Sequence, residues 1–302
     1  MRARRAGLAA IAVAALTSIV SSPAQYGPPG PEVLPNNYPP PIPERQGPAP
    51  RLKFELAREI PLEGPVGAPE AWAEGNALLV PLASGAARVS PSADAPPEPV
   101  TADPPPDASG SWILNAEGTR RYRATAEGVV EAEKRRKNGR KWRRSWHIVA
   151  PNATPAPPIL MGPRLCYAGL DDRVTCVKAS NGHRLWTTDL GDRLSRPIAR
   201  WPSASPARVT VKAGDRTIEG EILLAVPDNG ASMIALDAYD GRRLATYELL
   251  AEERLVSGPL VFPDDGIAAV REAFDKRQVA VLVLRLVHNE APPAVPTAPT
   301  GR

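Results

Sequence analysis

Apolar positions in this chain fall into short runs, each bounded by Asp, Asn or Gly, and no segment sustains the 3.6-residue apolar period of a helix. The run-turn-run pattern repeats. It is clearest over Arg164–Trp186, where an apolar run to Ala168 meets the turn Gly169–Asp172, a second run reaches Val177, and a third follows the Asn181-Gly182 turn. It returns over Glu221–Leu244, with turns at Pro227–Gly230 and Asp240-Gly241, and the dipeptide Asn138-Gly139 marks another copy. Such dipeptides supply the positive φ of tight hairpins, so the runs read as antiparallel strands. A unit of about 40 residues built this way cannot bury its own apolar face, and it must stack on copies of itself.

Prolines count the copies. Pro69, Pro158, Pro197 and Pro259 each stand just before or at the start of an apolar run, where a missing N–H breaks no ladder bond. The 89-residue gap from Pro69 to Pro158 holds two units if Ser111–Leu114 opens a copy without proline. The 62-residue gap from Pro197 to Pro259 holds one unit enlarged by a hairpin around Val209–Glu221. The pattern therefore predicts an all-β chain: a β-propeller of about five, with limits of four and six, degenerate four-stranded blades, in a ring that is either complete or incomplete. Leu52–Ile60 is placed to complete the last blade beside Val279–Val287 and to close the ring, which hides strand edges. Pro91–Asp107 reads as a long exposed loop.

Over Ala235–Leu244 and Val174–Trp186 the repeat resembles the tryptophan-docking repeat of PQQ-type, quinoprotein-like propellers, in which Ala-x-Asp, a Thr-Gly turn and a later Trp recur. The resemblance is strongest over 158–247. Lys178 stands where that pattern has Asp in one copy, and Ala245 where it has Trp in the other. It implies the fold and a wedge role for Trp186 between consecutive blades. Function is implied less directly: the non-catalytic branch of this family, like the propeller of outer-membrane assembly machinery, suggests loops or a blade edge that bind another envelope protein. The enzymatic branch would need about eight blades, calcium, an acidic base and adjacent cysteines, and this chain is too short for that ring.

Composition adds compartments. Arg2, Arg4 and Arg5 precede an apolar run from Gly7 to Val20 that ends in Ser22-Pro23-Ala24, so residues 1–24 read as a cleaved export signal. The run rises about 21 Å as a helix, too little to span a bilayer, and no transmembrane span is expected in the mature chain. Eleven of the 28 residues from Pro23 to Pro50 are proline, so residues 25–50 read as an extended tether, 51–289 as the propeller and 290–302 as a second tail. Cys166 and Cys176, the only two cysteines, flank one turn and would face each other across a hairpin, so a disulfide is expected in an oxidising compartment. The alternative is a pair of reduced core thiols.

Charge is uneven. Residues 120–147 hold eleven Lys/Arg against Glu127, Glu131 and Glu133, and the densest part is Lys134, Arg135, Arg136, Lys137, Arg140, Lys141, Arg143 and Arg144, with Trp142 among them, around the Asn138-Gly139 turn. Like charges opposed across a hairpin destabilise it, so an anionic partner, salt or solvent must relieve the cluster. His147, His183 and His288 have no nucleophile or paired carboxylate at a useful spacing, and Asp171-Asp172, Asp228-Asn229 and Asp264-Asp265 read as turns before calcium ligands. The expectation is an exported, non-catalytic scaffold of the periplasm or cell surface, using no cofactor and binding another envelope protein. The alternatives are a small PQQ- and calcium-dependent dehydrogenase and a surface protein that uses the 134–144 hairpin to bind a polyanion such as lipopolysaccharide or an acidic glycan.

Overall fold

The computed structural model describes residues 52–289 apart from 68–70, 102–109, 137–138, 140, 151, 153–155, 202–210, 214–215, 219–220, 263–265 and 275–277. The signal, tether and tail therefore lie outside the described residues, as do Lys137 and Arg140. The fold is a β-propeller, and the described residues form five blades.

Blade 1 is a meander of β2 (Trp72–Glu74), β3 (Ala77–Leu82), β4 (Gly85–Val89) and β5 (Glu98–Val100). Blade 2 is β6 (Ile113–Leu114), β7 (Arg120–Ala124), β8 (Val129–Arg135) and β9 (Trp142–Val149). Blade 3 is β10 (Ile159–Met161), β11 (Arg164–Ala168), β12 (Arg173–Lys178) and β13 (Arg184–Asp189). Blade 4 is β14 (Ala199–Trp201), β17 (Ile222–Ala225), β18 (Ser232–Asp237) and β19 (Arg243–Glu248), interrupted by the small hairpin of β15 (Val211–Ala213) and β16 (Arg216–Ile218) that fills the long Pro197–Pro259 gap.

Blade 5 joins the two ends of the described chain. Its inner edge is split into β20 (Glu253–Leu255) and β21 (Leu260–Val261), both paired with β22 (Ile267–Ala273), which pairs with β23 (Gln278–His288). At the split, the Ser257 hydroxyl accepts the Val270 N–H at 2.9 Å and so replaces a ladder bond. The outer strand is β1 (Leu52–Leu62), antiparallel to β23 from Leu52↔His288 to Leu62↔Val279 with one irregularity between Leu56 and Arg58. Arg271 on β22 reaches across β23 to Glu59 of β1 at 2.5 Å and also holds Glu253 at 2.5 Å.

The cores lie between blades. Buried clusters join blade 2 to blade 3, blade 3 to blade 4, blade 4 to blade 5 and blade 5 to blade 1. This is why Leu165–Ala168, Ile222–Ala225 and Ile267–Val270 are buried at every position: a strand packed on both faces needs an unbroken apolar run. Among the described residues no buried apolar cluster joins blade 2 to blade 1. Blade 2 accordingly alternates. Tyr122, Ala124, Val130, Ala132 and Trp146 face blade 3, while Arg121, Arg123, Glu131 and Glu133 occupy the other face.

Candidate interaction surface on blade 2

Two tryptophans fix how consecutive blades meet. Trp186, at the outer strand of blade 3, donates its Nε1–H to the Ala238 carbonyl of blade 4 at 3.1 Å. Trp146, one blade earlier, donates to the Ala179 carbonyl of blade 3 at 3.0 Å. Each ring lies over the turn glycine of the following blade, so that a Cβ on Gly241 would come within 2.5 Å of Trp186 Cε3, and one on Gly182 within 2.9 Å of Trp146 Cε3. Both glycines have positive φ, +75° and +78°, as tight hairpin turns demand.

Trp146 was not singled out by sequence, and its spacing explains why. In the ladders, Trp146 pairs with Ala132, Trp186 with Cys176 and Ala245 with Ala235, each followed by a bulge. Fourteen positions separate the blade 2 partners, against ten in blades 3 and 4. The four extra residues lengthen each arm by two, which carries the β8–β9 hairpin about 7 Å beyond its counterparts. The ladder position relative to the bulge, not the distance from the turn glycine, would have revealed the second tryptophan. In blade 4 the same position holds Ala245, and the aromatic contact to blade 5 is made by Tyr247 and Phe54, whose rings meet edge-on with centroids 6.3 Å apart.

The long hairpin is the basic one. Arg136 N–H donates to the Lys141 carbonyl at 2.9 Å to close it, and Arg135 Nε donates to the Gly139 carbonyl at 2.8 Å. A Cβ on Gly139 would meet nothing within 4 Å, since the short β5 of blade 1 carries no tryptophan to dock there.

Beyond Arg135, the cations of the hairpin and of the adjoining β7 include two contrasting sets. On the face away from blade 3, Arg121 pairs with Glu133 and Arg123 with Glu131, through N–O distances of 2.5–2.7 Å. The Arg121 guanidinium also lies 4.2 Å from the Trp112 ring centroid and 4.6 Å from that of Trp142, while Arg123 stacks on Trp112 at 4.5 Å. Trp142 is thus engaged by arginines of its own sheet. This face is not apolar enough to build a blade junction: Leu114 is 59% exposed and Val149 72%. Lys134, Arg136, Lys141, Arg143 and Arg144 form the second set. They are exposed, and no ion pair joins any of them to a described carboxylate, although Arg144 stands opposite Glu133 in the ladder. Trp112, Arg121 and Arg123 were missed in the sequence, where only the alternation of Arg121-Tyr-Arg-Ala124 against Glu131-Ala-Glu133 hints at a paired polar face.

Cys166 and Cys176 are ladder partners on β11 and β12 and form a disulfide, with both residues fully buried. Glu221, the residue before β17, lies 3.9 Å from Arg200; burial pushes its carboxyl above the usual carboxylate range, against the pull of Arg200 and Arg164. Among the described residues no group of three or more His, Cys, Asp or Glu is placed to hold a metal ion.

No protein-family model matches the chain, and no curated protein matches it. Solved structures that it resembles include BamB from Moraxella catarrhalis, 13% identical over 75% of this chain and 66% of that one, with a TM-score of 0.38. Sqt1 from Saccharomyces cerevisiae is 12% identical over 78% of this chain and 65% of that one, with a TM-score of 0.42. A glutaminyl cyclase from Myxococcus xanthus is 13% identical over 80% of this chain and 100% of that one, with a TM-score of 0.35. The chain spans just under two thirds of the first two. Its fold assignment rests on the sheet order and registers above.

Proposed function

We propose that the protein is an exported, non-catalytic propeller, quinoprotein-like in its repeat, that serves as an interaction scaffold in the periplasm or cell envelope. Residues 51–289 form the propeller in this reading, carried on the Pro-rich 25–50 tether after removal of the 1–24 signal. The carrying observation is the β8–β9 hairpin. It outreaches the equivalent hairpins of blades 3 and 4, and no tryptophan of a preceding blade docks on its turn glycine, so among the described residues the added length takes no part in that docking. The disulfide supports an oxidising compartment. The partner in this reading is another envelope protein. A photo-crosslinking residue placed at Lys141 in cells should give a discrete adduct that the same probe at Asn181, in the shorter blade 3 turn, does not give. Equal labelling from both positions, or none from Lys141, would remove this reading.

A second reading, polyanion binding at the hairpin, is favoured by the exposed cations Lys134, Arg136, Lys141, Arg143 and Arg144, which form no ion pair with a described carboxylate. Contacts of this kind release counterions, so retention on immobilised heparin should fall steeply with salt. Retention that survives neutralising Arg136, Lys141, Arg143 and Arg144 together would rule it out.

A further inference from the structure

Three cations stand abreast across blade 2. The registers place Arg120 directly opposite Lys134, and Lys134 directly opposite Arg143, so one residue from each of β7, β8 and β9 forms a row on the face that looks toward blade 3. Directly opposed side chains in such a ladder have Cβ atoms about 5 Å apart. The row lies one step beyond Tyr122, Ala132 and Trp146, the last apolar layer of that face. Because blade 3 turns back at Ala179–Gly182 while the blade 2 hairpin runs on, Lys134 and Arg143 overhang the neighbouring blade and stay exposed. Arg120 is half-buried beneath them, and its Nη1 donates to the Ser180 carbonyl of blade 3 at 3.2 Å. Arg120 and Ser180 line a groove of about 460 Å³ between the two blades, with Asn115, Glu117 and Arg200 on its walls.

Like charges opposed in a ladder repel, and here two such pairs share one lysine. No described ion pair offsets the row; Glu117, the one carboxylate among the described lining residues of the groove, accepts from the Asn115 side chain. Three cationic donors set side by side on three strands match the three free oxygens of a phosphate group, and arginine forks bind such oxygens in pairs. We propose that Arg120, Lys134 and Arg143 form a binding site for a phosphate group, free or carried on a lipid headgroup, on the side of blade 2 that faces blade 3, with Arg120 alone reaching the groove. This rests on the polyanion reading of the hairpin and narrows it to three residues, one of which lies outside the basic 134–144 segment.

The test uses the whole mature chain at low ionic strength, with inorganic pyrophosphate as probe. Pyrophosphate should raise the Tm of the unaltered protein, as any ligand of the native state does. Lys134→Ala and Arg143→Ala should each weaken binding about tenfold, the size of one lost charge-assisted hydrogen bond. Arg136→Ala and Lys141→Ala remove the same charge outside the row and should change binding less than about twofold, as expected of exposed charges in high dielectric. Without ligand, Lys134→Ala should raise Tm, because it relieves both repulsive pairs. No Tm rise with pyrophosphate, or equal losses in all four variants, would overturn the site; equal losses alongside intact salt-sensitive heparin retention would overturn the site alone. Flotation with vesicles of phosphatidylcholine, with and without phosphatidylglycerol, separates the sources. Binding to the phosphatidylglycerol vesicles that depends on Arg143 assigns the headgroup, and pyrophosphate binding without vesicle binding assigns free phosphate; each upholds the site.

Discussion

Trp186 lies over Gly241 of the next blade so closely that a single added methyl would sit 2.5 Å from its Cε3, and Trp146 repeats the arrangement over Gly182. A large aromatic that buries its body and satisfies its N–H on a backbone carbonyl is a peg for an adjoining sheet. Between blades 4 and 5, where the peg is absent, Phe54 and Tyr247 meet instead, while arginine–tryptophan stacking on the other face of blade 2 stays within that one sheet.

This geometry separates two costs of replacing a turn glycine. Gly139→Ala should lose only the backbone penalty of a positive φ, about 1 kcal/mol, because nothing lies within 4 Å of its Cβ. Gly182→Ala and Gly241→Ala should lose clearly more, since the indole must move. Trp186→Ala and Trp146→Ala should each destabilise by about 3–5 kcal/mol. Urea unfolding of the five variants checks the ranking, and a Gly139→Ala loss as large as that of Gly241→Ala would contradict it.

Closure by β1 can be tested by cutting it off. A chain beginning at Glu63 lacks Leu52, Ile60 and Leu62, which the blade 5 cores bury, and leaves the outer edge of the apolar β23 unpaired while its other edge stays on β22. An uncovered apolar edge of this kind promotes aggregation. Size-exclusion chromatography should show soluble monomer lost. Adding back a peptide of residues 51–62 should restore part of it.

The disulfide closes a ten-residue separation, so Cys166→Ala with Cys176→Ala should cost at most roughly 2–3 kcal/mol on the chain-entropy account. Both cysteines are fully buried, so a reductant acts only when the hairpin opens. Thiol release in reductant should therefore accelerate with urea well before global unfolding, and release at a rate independent of urea would contradict the buried placement.

Glu221 sets a pH dependence with a definite sign. Its folded carboxyl is pushed above the usual range chiefly by burial, so the native state holds the proton more tightly than the unfolded chain does. That stabilising contribution is complete below the unfolded value and is lost as pH rises through the folded one. Glu221→Gln cannot ionise. Its Tm relative to the unaltered protein should therefore climb as pH rises from the unfolded carboxylate value of about 4.3, and a flat or falling difference would show that Arg200 and Arg164 outweigh burial.

Local pattern settled a good deal on its own. Apolar runs between Gly-containing turns are strands wherever they pack, so the all-β class, the roughly five units, the extra hairpin before Glu221 and the place of Leu52–Ile60 in the last blade were readable from residue order. The opposition of Cys166 and Cys176 followed from hairpin symmetry about Asp171. Tertiary structure alone decided which faces meet. Whether Trp146 is a peg or a surface aromatic depends on a neighbouring blade's turn passing beneath it, and whether Arg121 is a free cation or a stacked, ion-paired one depends on Trp142 and Glu133 from two other strands and Trp112 from the residue before β6. Arg120, Lys134 and Arg143 are scattered along the chain and become a row only through strand register, because a ladder sets residues side by side regardless of their distance in sequence.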